Sequence, residues 1–128
     1  MRILLADDQS RVRSAIRLLL EQQPEANIVE EVTTAQELLE RVGNCCPDML
    51  LLDWDLPGST PEKLLATLRT LCPGLFITVL NSRPQTKQLA LKAGANEFVG
   101  KNESPEHLLA AIEAYKDSNK REKGRNLK

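Results

Sequence analysis

An α/β fold built on one parallel sheet is what this sequence predicts, and three observations carry the prediction. Short apolar runs recur five times along the 128 residues, each bounded by turn residues and too short for a helix. Stretches with apolar residues at helical spacing separate them, so strands and helices alternate throughout. The central run, Met49 to Leu52, lies between Pro47 and Pro57-Gly58 and reads as a strand buried on both faces.

Each element can be justified in turn. Arg2 to Ala6 is the first strand and ends in Asp7-Asp8. The first helix has Val12, Ala15, Ile16, Leu19 and Leu20 at helical spacing and closes at Pro24; one member of the acidic pair, or Ser10, caps its start. Asn27 to Val32 is a second strand, polar enough for a sheet edge. Thr34-Ala35-Gln36-Glu37 matches a capping box, and the helix it opens buries Leu38, Leu39 and Val42 before ending at Gly43. The third strand, 49–53, ends in the carboxylate of Asp53. Beyond its loop, Thr60-Pro61-Glu62 supplies a cap, a first-turn proline and an acidic residue for a helix with Leu64, Leu65, Leu68 and Leu71 inward. Leu75 to Leu80 is the fourth strand, ending in Asn81-Ser82. A helix from Pro84 to Ala93 stops at Gly94, and Asn96 to Gly100 is the fifth strand, followed by Lys101. Ser104-Pro105 opens the last helix, which turns Leu108, Leu109 and Ile112 inward. Helices therefore cover both faces of a doubly wound, five-stranded parallel sheet.

Composition narrows the class. With 41% hydrophobic residues in 128, the chain fits one domain with a single core. The longest apolar runs span four or five residues and Met1-Arg2-Ile3 leads straight into a strand, so the expected location is cytoplasmic. Cys45, Cys46 and Cys72 are odd in number and form no CxxC, and neighbouring Cys45 and Cys46 could hardly bridge each other; the expectation is reduced thiols. Residues 1–115 hold 11 basic and 16 acidic side chains, whereas 116–128 hold 6 and 2, so an acidic globule carries a basic tail. The tail, 117–128, lacks apolar periodicity and reads as a charged C-terminal extension or the start of an interdomain linker. Nucleotide binding is disfavoured, since there is no GxGxxG or GKS/T stretch.

The polar residues converge on one kind of place. In open α/β sheets, ligands bind at the C-terminal strand ends. Here those ends carry an acidic pair after strand one (Asp7-Asp8), an Asp after an apolar third strand followed by Leu56-Pro57-Gly58, and a Lys seven residues beyond Gly94. In these features residues 1–116 resemble the receiver domain of two-component response regulators, a flavodoxin-like fold with strand order 2-1-3-4-5. The resemblance implies that Asp53 accepts a phosphoryl group from a sensor histidine kinase or phosphotransfer protein, and that Asp7 and Asp8, with Asp53 and the Asp55 backbone carbonyl, hold Mg²⁺. It also implies that Lys101 pairs with a phosphoryl oxygen, and that an output domain or target protein reads the surface of helix 4, strand 5 and helix 5, a possible homodimer face. The strand order sets the tips side by side, with strands about 4.8 Å apart, so Asp8 and Asp53 can share a small ion and Lys101 can reach across two spacings. Oxygen-only ligands suit Mg²⁺ better than zinc.

Two positions depart from the family pattern. Asn81 stands where Ser or Thr is usual; its amide can donate to a phosphoryl oxygen, but it is longer and planar. Ser82 is a possible substitute that strand alternation aims elsewhere. Asn102 follows Lys101 where a proline is frequent. Phe98 matches the aromatic switch position, or is simply a core residue of its strand. The Asp55 side chain either faces solvent or biases water access to the acceptor. Trp54 is expected partly exposed on its loop, and His107 on the surface.

Two rival functions follow from the same residues. Asp53-Trp54-Asp55 resembles the nucleophile motif of haloacid-dehalogenase-type phosphatases, although those place it on their first strand. Asn81 motivates the other rival, a phosphorylation-independent interaction module on the receiver fold. The chain alone is expected to show no specific nucleic-acid binding; its basic tail could hold DNA only weakly and without sequence preference.

Overall fold

The computed structural model describes residues 1–126; for residue 29 and residues 119–126 it describes the backbone only. The elements are β1 (Arg2–Ala6), α1 (Ser10–Glu21), β2 (Asn27–Val32), α2 (Ala35–Asn44), β3 (Met49–Asp53), α3 (Pro61–Leu71), β4 (Phe76–Asn81), α4 (Thr86–Lys92), β5 (Glu97–Gly100) and α5 (Pro105–Asn126). All strand pairings are parallel and the order is β2-β1-β3-β4-β5, as expected. The polar strand β2 does lie at an edge.

Strand alternation divides the core in two. Leu4, Leu50, Leu52, Ile77 and Val79 face α2, α3 and α4, where Leu38, Val42, Leu64, Leu65, Leu68 and Ala90 complete one cluster. Ile3, Leu5, Met49, Leu51, Phe76, Leu80 and Val99 face α1 and α5, packing on Ile16, Leu20, Leu108, Ala111 and Ile112. Every residue of β3 is buried, so the sheet holds its C-terminal carboxylate on a stiff element. The loop after β3 is pinned as well. Ala35 N–H donates to the Pro57 carbonyl at 2.9 Å, and Gly58, at φ 107°, would bring an added Cβ within 3.3 Å of the Ala35 Cβ.

Several local expectations are corrected. Trp54 is buried rather than partly exposed, because the phase of Leu50 and Leu52 continues one step past the strand and turns its ring into the α2–α3 cluster. Glu37 N–H does bond the Thr34 hydroxyl at 3.2 Å, but Glu37 reaches back to the Thr33 backbone and hydroxyl instead of completing the reciprocal box. Thr60 occupies the N-cap of α3 without a side-chain capping bond, and Ser10 is already helical. Leu75 belongs to a turn, since its N–H bonds Cys72, and β4 begins at Phe76. The helix α4 is shorter than its apolar pattern suggests, starting at Thr86 after a turn at Arg83 to Thr86.

The helix α5 runs on to Asn126, through most of the charged stretch that begins at 117; residues 127 and 128 lie outside the described residues. Lys, Arg and Glu are good helix formers, so a helix can propagate there without an apolar stripe. Among the described residues, no helix is long and apolar enough to cross a membrane.

The cysteines also differ from expectation. Cys46 and Cys72 form a disulfide with Cα atoms 6.0 Å apart, and Cys45 is the free thiol. Sequence separation hid the pair. The C-terminal ends of α2 and α3 meet on one face of the sheet, which brings two cysteines 26 residues apart to bridging distance.

Candidate functional site

Parallel pairing sets the tips of β1, β3, β4 and β5 in adjacent positions, and alternation gives Asp7, Asp53 and Lys101 the same phase as Leu5, Leu51 and Val99. Asp7 and Asp53 are buried, whereas Asp8 is exposed. Carboxylate oxygens of Asp7, Asp8 and Asp53 all lie within 4.8 Å of one another. Lys101 reaches over from β5 and sets its Nζ 2.8 Å from Asp7 Oδ2 and 3.4 Å from Asp53 Oδ1. The reach across two strand spacings is therefore real.

The two buried carboxylates, Asp7 and Asp53, are each anchored by a backbone N–H. Asp7 Oδ1 accepts from Gln9 N–H at 2.8 Å, fixing the β1–α1 turn, and Arg13 donates to the Asp7 carbonyl at 2.8 Å. Neither Asp7 nor Asp8 acts as the side-chain cap of α1, whose N-cap is Gln9. Asp53 Oδ1 accepts from Asp55 N–H at 3.0 Å. Burial raises the Asp53 carboxyl above its ordinary 3.8, the bond from Asp55 opposes the rise, and nearby Asp7 adds to it while Lys101 pulls against it.

That shift carries a sign. A carboxyl raised in the fold contributes stability that is fully present below its unfolded value and is lost as pH rises through the folded one. The window opens near 3.8 and closes at the raised value. Asp53→Asn should therefore be more stable than the parent at pH 7, by about 1 kcal/mol, the usual size of a stabilising substitution, with the gap shrinking toward low pH. Thermal melts of the two proteins across pH 4 to 7 check this; a constant gap would refute the charge argument.

The cluster fits a divalent cation. Asp7 Oδ2 is buried and has no hydrogen-bond partner; the 2.8 Å contact with Lys101 is an ion pair without hydrogen-bond geometry. A buried, underbonded carboxylate oxygen beside two further carboxylates is an acceptor set for a hard cation, with neither His nor Cys in it. The Asp55 side chain stands apart. It is exposed, and its carboxylate accepts from Asn81 Nδ2 and from Arg83 Nη2, both at 3.0 Å.

Asn81 is buried and Ser82 exposed, so position 81 is the one that faces inward. The Asn81 carbonyl oxygen accepts from Arg83 N–H at 2.9 Å and from the Thr86 hydroxyl at 3.1 Å, which aims its amide N–H at Asp55. Phe98 is half-buried against the α2–α4 side of the sheet. His107 is on the surface beside Glu103. Sequence reasoning missed Gln9, whose Oε1 accepts from Lys101 Nζ at 2.9 Å, and Arg83. Their only signal was position, one residue past the acidic pair and two past Asn81. A cleft lined by Asp8, Gln9, Asp53, Asp55, Asn81 and Lys101 opens above these groups.

A family model described as "Response regulator receiver domain" matches residues 3–113. The chain belongs to the response-regulator receiver family. The receiver is 30% identical over 112 residues to the nitrate/nitrite response regulator protein NarL of Escherichia coli, covering 86% of this chain and 52% of that protein. It is 36% identical over 120 residues to the DNA-binding transcriptional activator EvgA of the same species, covering 91% of this chain and 58% of that protein. The receiver thus spans about half the length of these relatives. Among solved structures, a LuxR-family two-component response regulator from Aurantimonas superposes with TM-score 0.81 at 30% identity, covering 88% of this chain and 82% of that one. The RcsB response regulator of Salmonella typhimurium gives 0.85 at 26%, covering 92% and 59%. The family match favours neither rival of the sequence reading, and the Asp55 carboxylate that the phosphatase reading needs as an acid is engaged with Asn81 and Arg83.

Proposed function

We propose that Asp53 is the phosphoacceptor of a Mg²⁺-dependent signalling receiver, taking a phosphoryl group from the phosphohistidine of a cytoplasmic sensor kinase or phosphotransfer protein. The observation that carries this reading is the buried Asp53 carboxylate facing both the Lys101 ammonium and the Asp7–Asp8 pair. In the transfer, an Asp53 oxygen attacks phosphorus, the new P–O bond forms as the P–N bond breaks, and the electron pair returns to the imidazole nitrogen. Asp53 Oδ1 is held by Asp55 N–H, so Oδ2 is the oxygen left to attack. Lys101 supplies a fixed positive charge beside the developing equatorial oxygens, and Asp7, through its turn bond to Gln9, is held where it keeps that ammonium in place. Asp7, Asp8 and Asp53, with the Asp55 carbonyl, would hold Mg²⁺, which when bound would supply the remaining charge neutralisation.

In this reading residues 1–116 are the receiver and 117–128 lead toward an output domain or target protein, DNA-binding as in the relative EvgA. The surface of α4, β5 and α5 reports the phosphoryl state through Asn81 and Phe98. The test is intact-mass analysis after Mg²⁺ and a small-molecule phosphodonor such as acetyl phosphate. One phosphoryl adduct is expected on the parent and none on Asp53→Asn. An adduct that survives the substitution rejects Asp53, and no adduct on the parent leaves the phosphorylation-independent module as the function.

A further inference from the structure

The Cys46–Cys72 bond encloses one particular segment. Between its ends lie β3, Asp53, the loop 54–60 and α3, so the bond closes a covalent ring around the candidate acceptor. Its two sulfurs sit in unlike surroundings. Cys72 is 2% exposed within the α2–α3 core and its N–H completes the last turn of α3, whereas Cys46 is exposed. The free thiol of Cys45 is adjacent and exposed, with Arg2 Nη1 3.0 Å from its sulfur. Cys46 is therefore the solvent-facing end of the bond and Cys72 the enclosed one.

The fold does not need the bond in order to hold Cys72, because a reduced cysteine packs as a small apolar residue. A protein that serves a cytoplasmic kinase also works where low-molecular-weight thiols keep most cysteines reduced, and disulfides found there are usually transient or redox-sensing. The second of these arguments rests on the proposed function; the geometry does not.

We infer that Cys46–Cys72 is a reversible thiol–disulfide site, exchanged through Cys46 by a low-molecular-weight thiol and its disulfide, that tethers the α2–β3 loop to the end of α3. In the reducing direction the thiolate attacks Cys46 Sγ, the Cys46–Cys72 bond breaks, and Cys72 leaves as a thiolate and takes a proton. A second thiol then resolves the mixed disulfide on Cys46 and is itself oxidised, so one disulfide is consumed and one produced. Oxidation runs the same steps backward, with the external disulfide as oxidant. The tether restricts the acceptor segment in the unfolded chain and fixes the exit of α3 in the folded one.

The 128-residue protein is equilibrated without denaturant in glutathione buffers of graded composition, quenched with acid, alkylated and weighed. Oxidised buffer should join two cysteines with no added mass and leave Cys45 alone to be alkylated or to carry one glutathione. Reduced buffer should leave all three alkylated and lower the melting temperature by about 10 °C, as loss of a ring of this size implies. In Cys72→Ala no pair should be protected and the melting temperature should ignore the buffer. Three alkylated cysteines in every buffer would show that the bond does not form. Two that stay protected in reduced glutathione until urea is added would show a permanent staple, and a protected pair in Cys72→Ala would assign the bond to Cys45 and Cys46; each overturns the proposal. None of these readouts uses Asp53, so they stand or fall separately from phosphorylation.

Discussion

Lys101→Met should slow phosphorylation of Asp53 by about 10²–10³-fold, the usual loss when one preorganised charge is removed from a developing anion, while making the protein more responsive to Mg²⁺. In the parent one ammonium stands 2.8 Å from Asp7 and 3.4 Å from Asp53. Removing it leaves two buried carboxylates with no cation between them. Breaking a fully buried pair costs about 3–5 kcal/mol; this cleft opens to solvent at Asp8, so about 2 kcal/mol is the better expectation. In the proposed site Lys101 and Mg²⁺ draw on the same Asp7 and Asp53 oxygens, so the variant should recover part of its stability in Mg²⁺ and bind the ion more tightly. Melting curves with and without saturating Mg²⁺ report this. A Mg²⁺ shift equal in parent and variant would mean that lysine and ion do not share those oxygens.

Most of this arrangement was legible in the residues. The run Met49–Leu52 could only be a strand buried on both faces, and once β1 and β4 flank it in a parallel sheet with β5 beyond β4, Asp7, Asp53 and Lys101 converge by alternation. The legible features are those set by period and turn chemistry. What escaped depends on distances between elements. Trp54 was misread because an aromatic beside a loop can continue the strand phase, and only the packing of α2 and α3 decides that it does. Cys46 and Cys72 were misread because their proximity depends on where two helices end. Gln9 and Arg83 were missed because a neutral amide and a surface arginine carry no pattern until their partners, Lys101 and Asp55, are placed.

Asn81→Thr should strengthen the response of the α4–β5–α5 surface to a phosphoryl group. In the parent, Asn81 is held by three hydrogen bonds, from its amide to Asp55 and to its carbonyl oxygen from Arg83 and Thr86. Turning the amide toward phosphorylated Asp53 means breaking at least the bond to Asp55, and moving the whole side chain inward breaks the tie to Thr86 at the start of α4 as well. A modification shifts a conformational equilibrium only by its differential interaction with the two states, so bonds made only in the resting state subtract from the signal. The charge-assisted bond to Asp55, the one that must break, is alone worth about 1.5–3 kcal/mol net after exchange with water, or roughly a tenfold to hundredfold change in the switching equilibrium. Threonine is too short to keep all three. With beryllofluoride as phosphoryl mimic, chemical-shift changes around Phe98 and any gain in self-association should be larger in Asn81→Thr than in the parent. Asp55→Ala should reproduce part of the gain, since it frees the same amide while leaving Asn81 in place. Equal responses in all three proteins would show that Asn81 transmits the signal as well as a hydroxyl does, and that its resting bonds persist in both states.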